Sequence, residues 1–249
     1  MIVGLYFKKI LMERTDIKEY SILTSKIKNY AFWTDEYKNN ITNIIFKNSI
    51  NYDEINNAIK SWNVSLMQSF YNNVIAYIYN DPEEGGKYIL YIAGNGQVYT
   101  PYLCDNLFMD FQSLKKIDVT YLNTKYSRSM GSMFGYNGNL QEIIGLNNFQ
   151  TEYCRNMENM FKYCSKLTEL DLSNFNISNL KNMTRMFSNL SNIATIDLRN
   201  ADFSDVTLYV DMFSNIGDGV TIFVKDSVAQ TFIQNRLAEA NKTATVQIK

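Results

Sequence analysis

Glu169, Asp171 and Asp197 are the residues whose type and spacing come nearest to chemistry in this chain. Two carboxylates held about 5 to 10 Å apart across a cleft could serve as the acid and base of glycoside hydrolysis. Little else supports an enzyme. Histidine is absent, which removes the commonest general base, the commonest zinc ligand and the usual partner of a Ser or Cys nucleophile. Cys104, Cys154 and Cys164 are an odd number with no C-x-x-C pair, and free cysteines of this kind are small buried apolar groups. Carboxylates could hold a hard cation, but no D-x-D-x-D-G loop occurs. The chain is therefore expected to need no metal and no cofactor. Gly85-Gly86-Lys87 lacks the first glycine of a phosphate loop, because Asp81 stands there. Gly94-Asn95-Gly96 lacks the third glycine of a dinucleotide fingerprint, because Tyr99 occupies its place.

The elements that would position those carboxylates repeat. A Leu/Met-Phe pair recurs at Leu107-Phe108, Met133-Phe134, Met160-Phe161, Met186-Phe187 and Met212-Phe213, at spacings of 26, 27, 26 and 26 residues. Six residues after each of the first four Phe begins a second pattern: Leu114-x-x-Ile117-x-Val119, Leu140-x-x-Ile143, Leu167-x-x-Leu170-x-Leu172 and Ile193-x-x-Ile196-x-Leu198. A period of this length around L-x-x-L-x-L predicts a leucine-rich-repeat solenoid of four to five units, an α/β (α+β) architecture with one short strand per unit. One unit cannot bury its own apolar face, so neighbours must stack. The L positions then point inward and the intervening positions stand outside. Those exposed positions are the candidate binding face: Lys115, Lys116, Asp118, Glu142, Glu169, Asp171 and Asp197, a mixed polar surface with a slight acidic column. The methionines of Met130/Met133, Met157/Met160 and Met183/Met186 have helical i, i+3 spacing and are read as core filling.

Around the repeats the chain divides into residues 1–41, a region 42–103 with hairpins, the repeats at 104–224 and a cap at 225–249. Asp16 to Tyr30 places apolar residues on one helical face. Thr42 to Phe46 reads as a strand, and Tyr52 to Lys60 as a short helix capped by Asp53. Val74–Tyr79 and Tyr88–Ile92 form a hairpin around a Pro/Gly-rich loop, and Asn95-Gly96 predicts a second hairpin turn leading to Val98-Tyr99. Asp226 or Ser227 caps a helix with Val228, Phe232 and Ile233 as its buried stripe, and Thr243 to Ile248 returns as a strand. Tyr30, Phe32, Trp33 and Tyr37 form an aromatic cluster of the kind enriched at interface cores, which makes residues 1–41 a candidate assembly segment.

The segment Asn156 to Asn179, with its Met160-Phe161 and Leu167-x-x-Leu170-x-Leu172, closely resembles the BspA-type leucine-rich repeats, a domain of unknown function in mycoplasma lipoproteins and gut-bacterial surface proteins. The resemblance extends from about residue 42 to the C-terminal helix and strand. It implies binding, by surface adhesins or virion components, and carries no catalytic set. Two features depart from the pattern: Ala201 stands where Phe175 does one repeat earlier, and Gly145 adds a residue to the second unit.

Function is therefore expected to be non-enzymatic. A net charge of -1 gives no global field for nucleic acid or an anionic membrane. Met1 to Phe7 is too short for a signal or membrane-spanning segment. A surface-recognition repeat without a leader fits a bacteriophage virion component, a fibre or decoration contacting other virion proteins or itself and reading a bacterial surface glycan or protein. The alternative is a bacterial cell-surface adhesin.

Overall fold

The computed structural model describes residues 21–22, 35–65 and 74–249. Its N-terminal part contains β1 (Ser21–Ile22), α1 (Asp35–Lys38), β2 (Ile41–Lys47), α2 (Tyr52–Asn57), β3 (Lys60–Asn63), β4 (Val74–Asn80), β5 (Tyr88–Gly94) and β6 (Val98–Tyr99). β3, β4 and β5 pair antiparallel, and β5 then lies parallel to β2. β2 alternates as a half-buried strand should, with Ile44 and Phe46 in the core.

Three of the expectations for this part change. Within Asp16 to Tyr30 only Ser21–Ile22 is described, and it is a strand paired parallel with β6, not helix. The helix after β2 starts from Asn51, whose side chain accepts the N–H groups of Asp53 and Glu54, so Asp53 lies in the first turn and is not the cap. Asn95-Gly96 makes a corner and not a hairpin: Gly96 donates to the Asn48 carbonyl at 2.7 Å, and β6 joins a different sheet from β5.

The repeats contribute β7 (Lys116–Asp118), β8 (Leu122–Asn123), β9 (Glu142–Ile144), β10 (Glu169–Asp171), β11 (Thr195–Leu198) and β12 (Thr221–Val224), followed by α3 (Ser227–Glu239) and β13 (Thr245–Ile248). β2, β7 and β9 run parallel, and β10 to β13 form a second parallel sheet. Register follows the repeat: Lys116 pairs with Glu142, Glu169 with Thr195 and Thr195 with Thr221. A second column of parallel bridges, half a unit away, links Leu103, Ser129, Asn156, Asn182 and Leu208.

Inside the stack the Phe side chains form a ladder. Ring centroids are 5.7 Å apart for Phe108–Phe134, 5.8 Å for Phe134–Phe161, 6.3 Å for Phe161–Phe187 and 5.5 Å for Phe187–Phe213. All five are fully buried, as are the six paired methionines around them. The Met-x-x-Met-Phe segments are turns, however, and not helices. Each holds two positive-φ residues around its Leu/Met-Phe pair, as at Ser132 and Tyr136 or Asn159 and Tyr163. This reversal aims alternate N–H groups at the next unit: Phe134 donates to the Met160 carbonyl at 3.0 Å and Phe161 to that of Met186 at 3.1 Å. Bonds between units thus outweigh the left-handed backbone cost that non-glycine residues ordinarily avoid.

Asparagine side chains tie units together across the turns. Nδ2 of Asn139, Asn174, Asn179, Asn192 and Asn200 each donates to a carbonyl one unit earlier, at 2.7 to 3.0 Å. At the C-terminal end Asp226 caps α3 by accepting the Ala229 N–H at 2.9 Å. The helix buries Ala229, Ile233 and Leu237, whereas Val228, expected in that stripe, is 78% exposed. Phe232 stacks on Phe203 at 4.7 Å, and Ala201 is itself buried.

A candidate binding cleft between two sheets

β9 and β10 are successive strands of the stack, yet they do not pair. The cause is one residue. Ile143 and Leu146 are separated by two residues, where Leu170 and Leu172 one unit later are separated by one. The extra residue lies at the end of β9, where Gly145 takes a left-handed φ of 81° and starts a short 3-10 turn at Leu146–Asn148. An inserted residue of this kind disrupts the ladder and bends the strand. The split is local: the bridge Ser129–Asn156 still joins the same two units half a turn away.

The result is a cleft of about 430 Å³ on the exposed strand face, lined by Gln141, Glu142, Ile143, Gly145, Leu146, Asn147, Thr168, Glu169, Leu170 and Asp171. Three residues of the expected binding face, Glu142, Glu169 and Asp171, meet here. The other four do not. Lys115 ion-pairs with Glu84, and Lys116 lies beside the cleft with its Nζ 2.8 Å from Glu142. Asp118 turns away to accept the Thr120 N–H at 3.0 Å. Asp197 is buried and held by Arg199, whose Nε lies 2.9 Å from its Oδ2. Burial alone would raise the Asp197 carboxyl, but the hydrogen bonds and charge of Arg199 outweigh it and leave the group below its ordinary value.

The acidic column also has a local task. Asp118, Asp171 and Asp197 each accept the N–H of the residue two further on, at 3.0, 3.0 and 3.1 Å. This side-chain turn ends each strand and starts the next corner. It ties down part of the Asp171 carboxylate, whereas Glu169 faces the cleft without any such bond. As an acid/base pair, Asp171 and Asp197 sit side by side on adjacent strands. The Asp197 carboxylate there is held by the Arg199 guanidinium.

The cysteines take no part in the cleft. All three are buried, and burial pushes their thiols up to about 12; Cys164 spends its S–H on the Phe134 carbonyl at 3.0 Å. Of the aromatic cluster, Tyr30, Phe32 and Trp33 lie outside the described residues. Tyr37 is 9% exposed and packs edge-on against Tyr88 at 5.2 Å. Among the described residues no group of three metal-ligating side chains gathers. No helix among them is long and apolar enough to cross a membrane.

Sequence reasoning missed Asn147 in the cleft and a group of exposed cations and tyrosines on the bridge column. There Arg128 lies over the rings of Tyr102 and Tyr153, 5.5 and 5.1 Å from their centroids. The signal was present, because the repeat period carried to Tyr102 leads to Arg128, Arg155 and Lys181.

Residues 103–220 match the model of a family described as Mycoplasma protein of unknown function, DUF285. No curated protein and no solved structure matches the chain.

Proposed function

We propose that this chain is a non-enzymatic recognition protein, a leucine-rich-repeat solenoid of the BspA type that reads a bacterial surface glycan or protein through its exposed strand face. The observation that carries this reading is the cleft between β9 and β10. It gathers Glu142, Glu169 and Asp171 with the amides of Gln141 and Asn147 and the hydroxyl of Thr168. Such a rim offers convergent hydrogen-bonding groups around the apolar floor of Ile143 and Leu170, the composition of a ligand site. Neither histidine nor an available thiol stands beside it to supply catalysis.

The finer reading is a bacteriophage virion component, a fibre or decoration that displays the repeats to the host. Immunogold labelling of purified particles tests it. Gold on the virions supports the assignment, and particles free of the protein refute it. The second reading is a bacterial cell-surface adhesin, favoured by the match of residues 103–220 to a family of Mycoplasma proteins. In either setting Glu142→Lys/Glu169→Lys should abolish adherence of the purified protein to host cells. Undiminished adherence would remove the cleft from the mechanism.

A further inference from the structure

We infer that the bridge column carries a second binding site, for a glycan bearing one carboxylate on each sugar, centred on Arg128, Arg155 and Lys181. It goes beyond the cleft reading, because it lies half a repeat away and uses none of the same side chains.

The backbone places the three cations. Arg128 donates its N–H to the Tyr102 carbonyl at 2.8 Å, Arg155 to that of Arg128 at 2.9 Å, and Lys181 to that of Arg155 at 3.0 Å. They therefore stand on consecutive rungs, about 4.8 Å apart as neighbouring strands are. Arg155 and Lys181 are exposed. Three like charges in one row repel, and such a row is ordinarily broken by carboxylates. Here Lys181 has one, Asp205 at 2.7 Å, whereas among the described residues Arg128 and Arg155 have none within ion-pair distance. Arg128 is held instead by aromatic faces, sandwiched between Tyr102 and Tyr153, which are 44% and 45% exposed. That contact fixes the guanidinium plane and leaves its edge N–H groups for an outside acceptor.

The chemistry of that acceptor follows from spacing and shape. A guanidinium edge matches a carboxylate in a two-bond fork. One pyranose advances an extended glycan by about the height of one rung, and the twist of such a chain turns neighbouring carboxylates to different sides, so Arg128 and Arg155 together can take one uronate while Lys181 approaches the next that faces the same way. Tyr102 and Tyr153 flank Arg128 at one end of the row, and Tyr153, 45% exposed, offers apolar surface to a sugar ring face. Single-stranded nucleic acid fits less well. It needs an aromatic platform at successive bases, whereas Tyr102 and Tyr153 both pack on Arg128 and the row continues to Lys181 beyond them.

Affinity electrophoresis of the purified full chain in gels containing polygalacturonate, neutral dextran or poly(U) tests the site. The expected result is retardation by polygalacturonate that weakens with added salt, none by dextran, and less by poly(U). Arg155→Ala and Arg128→Ala should each weaken the retardation by about tenfold, as loss of a central interface arginine does. Lys225→Ala, which removes a cation already shared between Asp202 and Asp226, should leave it unchanged. Thermal melts of each variant verify folding, and Arg155→Lys, which keeps the charge but not the fork, should recover only part of the binding. Equal binding of dextran, preference for poly(U), or full retention by Arg155→Ala overturns the proposal. Because Glu142→Lys/Glu169→Lys leaves this column intact, its failure and the failure of the cleft reading are separable.

Discussion

Gly145 lies against Thr120 so closely that a Cβ on it would sit 2.7 Å from both the Thr120 Cα and its nitrogen. Its φ of 81° is also one that side chains disfavour. The inserted residue that splits the sheet is therefore pinned by its neighbour unit and must be glycine. Gly145→Ala should destabilise the protein by about 2 to 4 kcal/mol, combining the left-handed strain with the clash. Gly219→Ala, at a φ of 77° with open space around it, should cost about 1 to 2 kcal/mol from strain alone. Chemical denaturation of the two variants measures the difference, and equal losses would show that the contact with Thr120 does not matter.

The Phe ladder is the continuous part of the core. Phe161→Ala and Phe187→Ala should each cost about 3 to 5 kcal/mol, the usual loss for a buried Phe. Lys162, which sits over the rings of Tyr136 and Tyr163 at 5.2 and 5.4 Å, should cost no more than about 1 kcal/mol on replacement by Ala. Urea melts showing the same shift for both kinds of change would contradict the stacking.

Asn137 is a polar residue in that core whose bonds are all met. Its Nδ2 donates to the carbonyls of Phe108 and Phe134 at 2.7 and 2.8 Å, and its Oδ1 accepts the Phe111 N–H at 2.6 Å. The equivalent positions in later units are Cys164, Leu190 and Ile216. Asn137→Leu copies those units but strands the Phe108 carbonyl and the Phe111 N–H, each costing about 1 to 3 kcal/mol, while the Phe134 carbonyl keeps the Cys164 S–H. A substitution that proved neutral by calorimetry would show that the amide is dispensable.

Acid sensitivity should trace in part to Asp197. Its folded value is depressed, so its contribution to stability is complete above the ordinary carboxylate value and fades as pH falls through the folded one. Asp197→Asn keeps the bond accepted from the Arg199 N–H but loses the titration. Its melting temperature should fall less steeply than that of the parent protein below about pH 4. Parallel curves across that window would place the acid-sensitive group elsewhere.

Much of the stack was legible in the sequence. Leu114, Ile117, Leu140, Leu167, Leu170 and Ile196 announce the strands by period alone, and all are buried. The turns were not legible. Met130 and Met133 are three apart whether they lie on a helix or in a reversed turn, and Tyr136, Tyr163 and Arg185 adopt positive φ against their own preference. Only bonds to the next unit select that conformation, and those are invisible within one repeat. The cleft was half legible. Gly145 stood out as an extra residue, but its effect on β9–β10 pairing depends on register between units. The tasks of Asp118 and Asp197 escaped notice because a carboxylate that ends a strand and one that meets a ligand look alike in sequence.

The measurement that bears most directly on the central claim is adherence of a Gly145 deletion variant to host cells, together with its melting temperature. Removing Gly145 restores the 26-residue spacing between Ile117-Ile143 and Leu170, which lets β10 pair with β9 and closes the cleft. The account predicts a folded protein, at least as stable as its parent, that no longer adheres. A deletion variant that remains folded and adheres as before would contradict it.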